Sequence, residues 1–159
     1  MLFLAHAVFS CCGAELKRGS SGVEIVISDD PAPTAKFAAG ELRTALKRVL
    51  AVDAAVVSEK GARKHAAFRF LVGPLKGCPL PAGLGHDCFI IDAPDSTSLR
   101  LAGTDNDVAP LTPFYKAFTG TLCAVYRFMY DKLGVRMLWP GESGGSVCLI
   151  FSIARHIRS

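Results

Sequence analysis

Apolar residues recur along this chain with two periods, one of strands and one of helices. Val23, Ile25 and Ile27 fall on one face of an alternating segment, which predicts a strand over Val23 to Ile27. Asp29-Asp30-Pro31 breaks it, and Pro31 or Pro33 suits a first helical turn, where no N–H is needed. Ala38, Leu42, Ala45, Leu46 and Val49 then form one stripe, with Lys36, Arg43 and Lys47 opposite, so a helix is expected from about Thr34 to Leu50. Gly40 weakens that helix by about 1 kcal/mol relative to alanine without abolishing it.

Ala54 to Val57 predicts a short second strand, and Phe68 to Val72 a third that stops at Gly73-Pro74. A Gly- and Pro-rich loop runs from Gly77 to Gly85. Cys88 to Asp92 and Leu99 to Ala102 read as a hairpin turning at Ala93-Pro94-Asp95-Ser96. Gly103 to Thr119 has no period and is the longest expected loop. A second helix follows, with Leu122, Val125, Tyr126, Met129 and Leu133 as its stripe and Thr119 or Thr121 as its cap. Lys132 suits the negative end of its dipole, Gly134 a left-handed stop, and Val135 the apolar contact behind it. Arg136 to Trp139 returns as a strand ended by Pro140-Gly141. The expectation is an α+β sandwich, a mixed sheet of about six strands carrying two helices.

The ends of the chain differ from this pattern. Residues 1–14, MLFLAHAVFSCCGA, are apolar and uncharged and read as a signal peptide, followed by a linker over 15–22. Val8-Phe9-Ser10-Cys11 is close to a lipoprotein box; the alternative for the segment is a buried N-terminal strand or helix. No stretch reaches the roughly 18 to 20 apolar residues that a membrane span needs. Ser143-Gly144-Gly145-Ser146 resembles a flexible linker, and the rest of 143–159 reads as an atypical tail: a frayed end, an extra strand, or truncated or out-of-frame coding sequence.

With 159 residues, half of them hydrophobic, the chain can bury a real core. Its net charge of +4 is spread out. Lys60, Arg63 and Lys64 are the densest basic group and read as a solvated loop, so no nucleic-acid partner is expected without a basic stripe or stacking aromatics. Of six cysteines, Cys11 and Cys12 belong to the leader. Cys78, Cys88, Cys123 and Cys148 lack zinc-site spacing. Cys78 and Cys88 are either a disulfide across the loop between them or unpaired small apolar residues.

The motifs assign no catalytic, cofactor or metal residue. Glycoside cleavage takes two carboxyl groups, about 5 to 5.5 Å apart for retention or about 6.5 to 9.5 Å for inversion. The candidates are Glu41, Glu59, Asp87, Asp92, Asp105, Asp107, Asp131 and Glu142, and no spacing forces two of them together. His86-Asp87-Cys88 puts a base, an acid and a thiol in sequence, but a triad is built in space rather than along a strand. Gly83-Leu84-Gly85 lacks the strand-to-helix setting of a phosphate loop. Trp139, the one tryptophan, is either a core or interface anchor or an aromatic face for a sugar.

Three phrases carry a family resemblance: VEIVISDDPAPTAKFAAGELRTALKRVL, RFLVGP and GTLCAVYRFMYDKLGVRMLWPGE. Over residues 23 to 142 they resemble the N-terminal accessory domain of alpha-glucuronidase-like and hexosaminidase-type glycoside hydrolases. Lys36 to Leu42, Val72-Gly73-Pro74 and Gly120 to Glu142 match the family's phrases, with Cys123 for the usual Tyr, Arg127 for Asp and Met137 for the first Trp. The resemblance implies an exported, non-catalytic domain of a carbohydrate-active enzyme. It implies as partner a (β/α)8 barrel that bears the catalytic carboxylates and is expected after Glu142, where this sequence turns to its tail. The alternative is an independent module that binds a glycan or a protein, and a standalone enzyme ranks third.

Overall fold

The computed structural model describes residues 8–11, 14–86, 88–108 and 117–136. Its strands are β1 (Val8–Cys11), β2 (Ala14–Lys17), β3 (Val23–Ile27), β4 (Ala55–Ser58), β5 (Phe68–Val72), β6 (Phe89–Asp95) and β7 (Ser98–Gly103). Its helices are α1 (Pro33–Leu50) and α2 (Gly120–Lys132). Five strands form one mixed sheet in the order β4-β3-β5-β7-β6, and both helices pack on it, an α+β fold. Only β6 runs antiparallel to its neighbour.

The rows of the sheet explain the packing. Ile25, Phe70 and Leu99 lie side by side across β3, β5 and β7, all buried. The helices cover this face and touch each other, α1 over β3 and β4, α2 over β7 and β6. Phe70 is the pin: its ring meets Phe68 edge-on at 5.0 Å and Phe128 of α2 at 5.4 Å. Edge-to-face contacts add about 0.5 to 1.5 kcal/mol each beyond the area they bury.

Helix α1 follows its sequence pattern. Ala38, Leu42, Ala45, Leu46 and Val49 are buried, Lys36, Arg43 and Lys47 are exposed, and Pro33 occupies the first turn. Helix α2 is rotated from the expected stripe. Ala124 and Phe128 are buried with Leu122, Val125 and Met129, while Tyr126 sits half-buried at the flank. Leu133 is also buried, and Gly134 takes a φ of 66° that lets the Val135 N–H return to the Met129 carbonyl at 3.0 Å.

Neither expected threonine caps α2 through its side chain. Asp105 does so from the preceding loop, accepting the Thr121 N–H at 3.0 Å. A remote carboxylate here replaces a local hydroxyl, and the Thr121 hydroxyl is used instead to accept the Gly103 N–H at 3.1 Å. The hairpin also differs. Strand β6 runs on to Asp95 through a register shift between Asp92 and Asp95, so Pro94 sits in the irregularity and the turn moves to Ser96-Thr97. Asp95 fixes that turn by accepting the Thr97 N–H at 2.7 Å, a bond that holds its carboxyl below the usual range.

At the N-terminus, β1 and β2 pair with each other, and Leu16, in the segment expected as a linker, joins the core. Of the expected strand Arg136 to Trp139, all but Arg136 lies outside the described residues, as does the tail. Among the described residues, no helix is long and apolar enough to cross a membrane.

Two glycines separate backbone propensity from tertiary contact. A Cβ on Gly40 would meet nothing within 4 Å. A Cβ on Gly120 would lie 2.6 Å from both the Cys88 carbonyl oxygen and the Thr104 nitrogen. Gly40→Ala is expected to stabilise the protein by about 0.5 to 1 kcal/mol. Gly120→Ala is expected to destabilise it by about 1 to 3 kcal/mol or more. Urea unfolding of the two variants checks this, and stabilisation by both would contradict the packing at the start of α2.

Candidate functional site

Ligands of open α/β sheets gather at the carboxyl ends of parallel strands. Here β3, β5 and β7 end beside the starts of α1 and α2, and that edge is occupied by the protein itself. A Cβ on Gly103 would sit 2.3 Å from the Gly120 backbone, so β7 and α2 are in direct backbone contact. Gly73, at φ 81°, admits Ala35 on the other side. The buried Thr34 hydroxyl donates to the Phe118 carbonyl at 3.4 Å. The Asn106 amide oxygen accepts N–H bonds from Val108 at 3.3 Å and Phe118 at 3.0 Å, closing the base of the loop between them. The N–H of Thr121, which a bound anion would otherwise take at a helix start, is already given to Asp105.

The opposite face of the sheet carries the charge. Glu24, Arg69 and Ser98 form one row across β3, β5 and β7, and Val26, Leu71, Arg100 and Asp92 the next. Segments 59–67 and 74–86 reach over this face. Glu24 is 1% exposed. Its Oε2 accepts the backbone N–H of Arg63 at 3.2 Å, and its Oε1 lies 3.2 Å from the Arg63 Nε. That second approach is an ion pair without hydrogen-bond alignment, and the buried Oε1 has no hydrogen-bond partner. Arg69 sits beside them, its Nε 4.0 Å from Oε2 and its Nη2 bonded to the Arg63 carbonyl.

The second charged group is built on Arg100, whose Nε donates to Asp92 Oδ1 at 2.7 Å. Its Nη1 donates to the Pro79 carbonyl at 3.1 Å and approaches Cys78 Sγ at 3.2 Å. Asp92 foremost holds the Arg100 guanidinium above its usual pKa. This guanidinium fastens the segment at Cys78 and Pro79 to the sheet.

The carboxylates considered from sequence are dispersed among such roles. Glu41 lies close enough to Tyr126 for its charge to act on the phenol. Glu59 accepts the Gly77 N–H at 3.3 Å. Asp92 holds Arg100, Asp105 caps α2, and Asp131 pairs with Arg127 at 2.6 Å on the outer side of the helix. Asp107 is exposed in the loop. Asp87, Glu142 and Trp139 lie outside the described residues. Among the described residues, no group of three metal-ligating side chains gathers.

The His86 ring stacks on Phe118 at 4.4 Å, while Cys88 is exposed. Cys78, Cys88 and Cys123 are free thiols, so the disulfide alternative does not form, and none of the three is fully buried. Glu24 was missed from the sequence. Its signal was there: a parallel strand covered on both faces is expected to be apolar throughout, so a lone glutamate within one marks a buried charge that needs partners.

The Tyr126 phenol is pushed up to about 12, by burial first and then by the Glu41 charge. The fold therefore favours the neutral phenol. Its contribution is full below the ordinary value of 10.0 and is lost as the pH rises to about 12. Over that window the wild type is expected to lose stability more steeply than Tyr126→Phe, as chemical denaturation at stepped pH will show. Identical slopes would contradict the burial of this hydroxyl against Glu41.

Comparison with protein-family models, with curated proteins and with solved structures returns no match for this chain.

Proposed function

We propose that this chain is a non-catalytic accessory domain of an exported carbohydrate-active enzyme, one that supports a catalytic (β/α)8 barrel. The observation that carries this reading is the use made of the carboxylates. Glu24, Glu59, Asp92, Asp105 and Asp131 each accept a bond or ion pair that holds one element to another or braces a helix. Carboxyl groups committed in this way supply neither leaving-group protonation nor an opposing nucleophile or base. The family resemblance supports the same reading, because its phrases fall on architectural positions. Lys36 to Leu42 lies in α1, Val72-Gly73-Pro74 ends β5 beside Ala35, and Gly120 opens α2 against Gly103.

Sequencing the transcript beyond codon 142 in all frames tests the reading. A barrel-coding frame continuing from Pro140-Gly141-Glu142 is expected, and a transcript with none contradicts it. The purified chain is expected to release no aglycone above background from aryl glucuronides, hexosaminides or glucosides at any pH from acid to neutral. Turnover that disappears in Asp107→Asn would move the protein to the enzymes.

A further inference from the structure

The basic loop over the second face of the sheet is built rather than merely solvated. Three groups of Arg63 are fixed from below: its N–H by Glu24 Oε2, its carbonyl by Arg69 Nη2, and its Nε beside Glu24 Oε1. Its side chain is nevertheless 69% exposed, and its terminal Nη atoms have no hydrogen-bond partner among the described residues. A buried carboxylate thus lies beside a guanidinium that is itself largely exposed. Lys64 and His65 beside it are exposed, and Lys64 has no ion pair among the described residues. Lys60 is 81% exposed but its ammonium pairs with Asp29 at 3.5 Å, whereas the Glu24 contacts of Arg63 use only its N–H and Nε and Lys64 has no ion pair among the described residues.

We propose that Arg63, with Lys64, forms a binding site for the oxyanion groups, sulfate or carboxylate, of an anionic polysaccharide. A planar guanidinium fork can give two parallel hydrogen bonds to such a group, which the point charge of a lysine cannot. Short basic clusters suit either sulfated glycans or nucleic acid. Segment 59–67 contains no Phe, Tyr or Trp on which a base could stack, and this disfavours a single-stranded nucleic acid. The choice of a polysaccharide rests on the accessory-domain reading; the anion site itself rests on Glu24 and Arg63.

The test is calorimetric titration of the full chain with a heparin hexasaccharide, an oligogalacturonate of matched charge and a single-stranded oligonucleotide. Saturable binding of at least one glycan is expected, falling as salt rises from about 0.05 to about 0.3 M. Binding of heparin alone identifies sulfate as the group recognised, and equal binding of oligogalacturonate identifies carboxylate. Arg63→Lys, which keeps the charge beside Glu24 and removes the fork, is expected to weaken binding by roughly fivefold to tenfold. Lys64→Ala, which leaves the Glu24 contacts untouched, is expected to weaken it by roughly twofold to threefold, and Lys47→Ala on α1 not at all. No saturable glycan binding overturns the proposal, as does glycan binding indifferent to both Arg63→Lys and Lys64→Ala. Tighter binding of the oligonucleotide than of either glycan, lost in Arg63→Lys, overturns the polysaccharide assignment and leaves the transcript test to judge the accessory-domain reading.

Discussion

A carboxylate in the middle of the sheet constrains everything on its second face. Glu24 lies on β3, between β4 and β5, and is 1% exposed. An ion taken that far from water costs several kcal/mol unless charge and hydrogen bonds replace its hydration. The replacement comes from Arg69 on the neighbouring strand and from Arg63 on the loop above. The need to satisfy Glu24 therefore draws segment 59–67 across the sheet, where helices cover only the other face. Asp92 and Arg100 repeat the arrangement one row along, where the guanidinium reaches up to Pro79.

The helix-covered face is governed by close approach instead of charge. Phe70 fills the space between β5 and α2, and Gly103 and Gly120 let the end of one element touch the start of the next. Asp105 and Thr121 tie the same junction by hydrogen bonds. Where an open sheet would present free N–H groups to a ligand, the start of α2 gives those of Gly120 and Thr121 to Thr104 and Asp105. That edge, which usually carries chemistry, is thereby closed by backbone contact between β7 and α2.

Much of this was legible in the order of residues, and the misses share a cause. The strand Phe68 to Val72 and helix α1 follow from local period and proline placement, because each has a single buried face and a local stop. Phe128 was left out of the α2 stripe because the neighbouring positions Val125 and Met129 already made a complete stripe, and only contact with Phe70 shows how the helix is turned. The capping role of Asp105 depends on a partner sixteen residues away, which no local pattern signals. The hairpin turn moved because Pro94 cannot donate to a ladder, so the strand shifts register past it instead of turning there. Lys60, Arg63 and Lys64 read as a solvated loop because the carboxylate that holds Arg63, Glu24, is 39 positions earlier in the chain, across the whole β3-α1-β4 unit.

Amide hydrogen exchange of segment 59–67, followed by NMR in the intact chain, tests the central claim most directly. The Arg63 N–H is donated to a carboxylate buried beneath the loop, so it exchanges only when that contact opens. The expected result is an Arg63 amide protected by roughly a hundredfold or more relative to that of Lys64, in a loop with little regular structure to protect it otherwise. Arg63 and Lys64 amides exchanging at the same unprotected rate would show that Glu24 does not hold the loop.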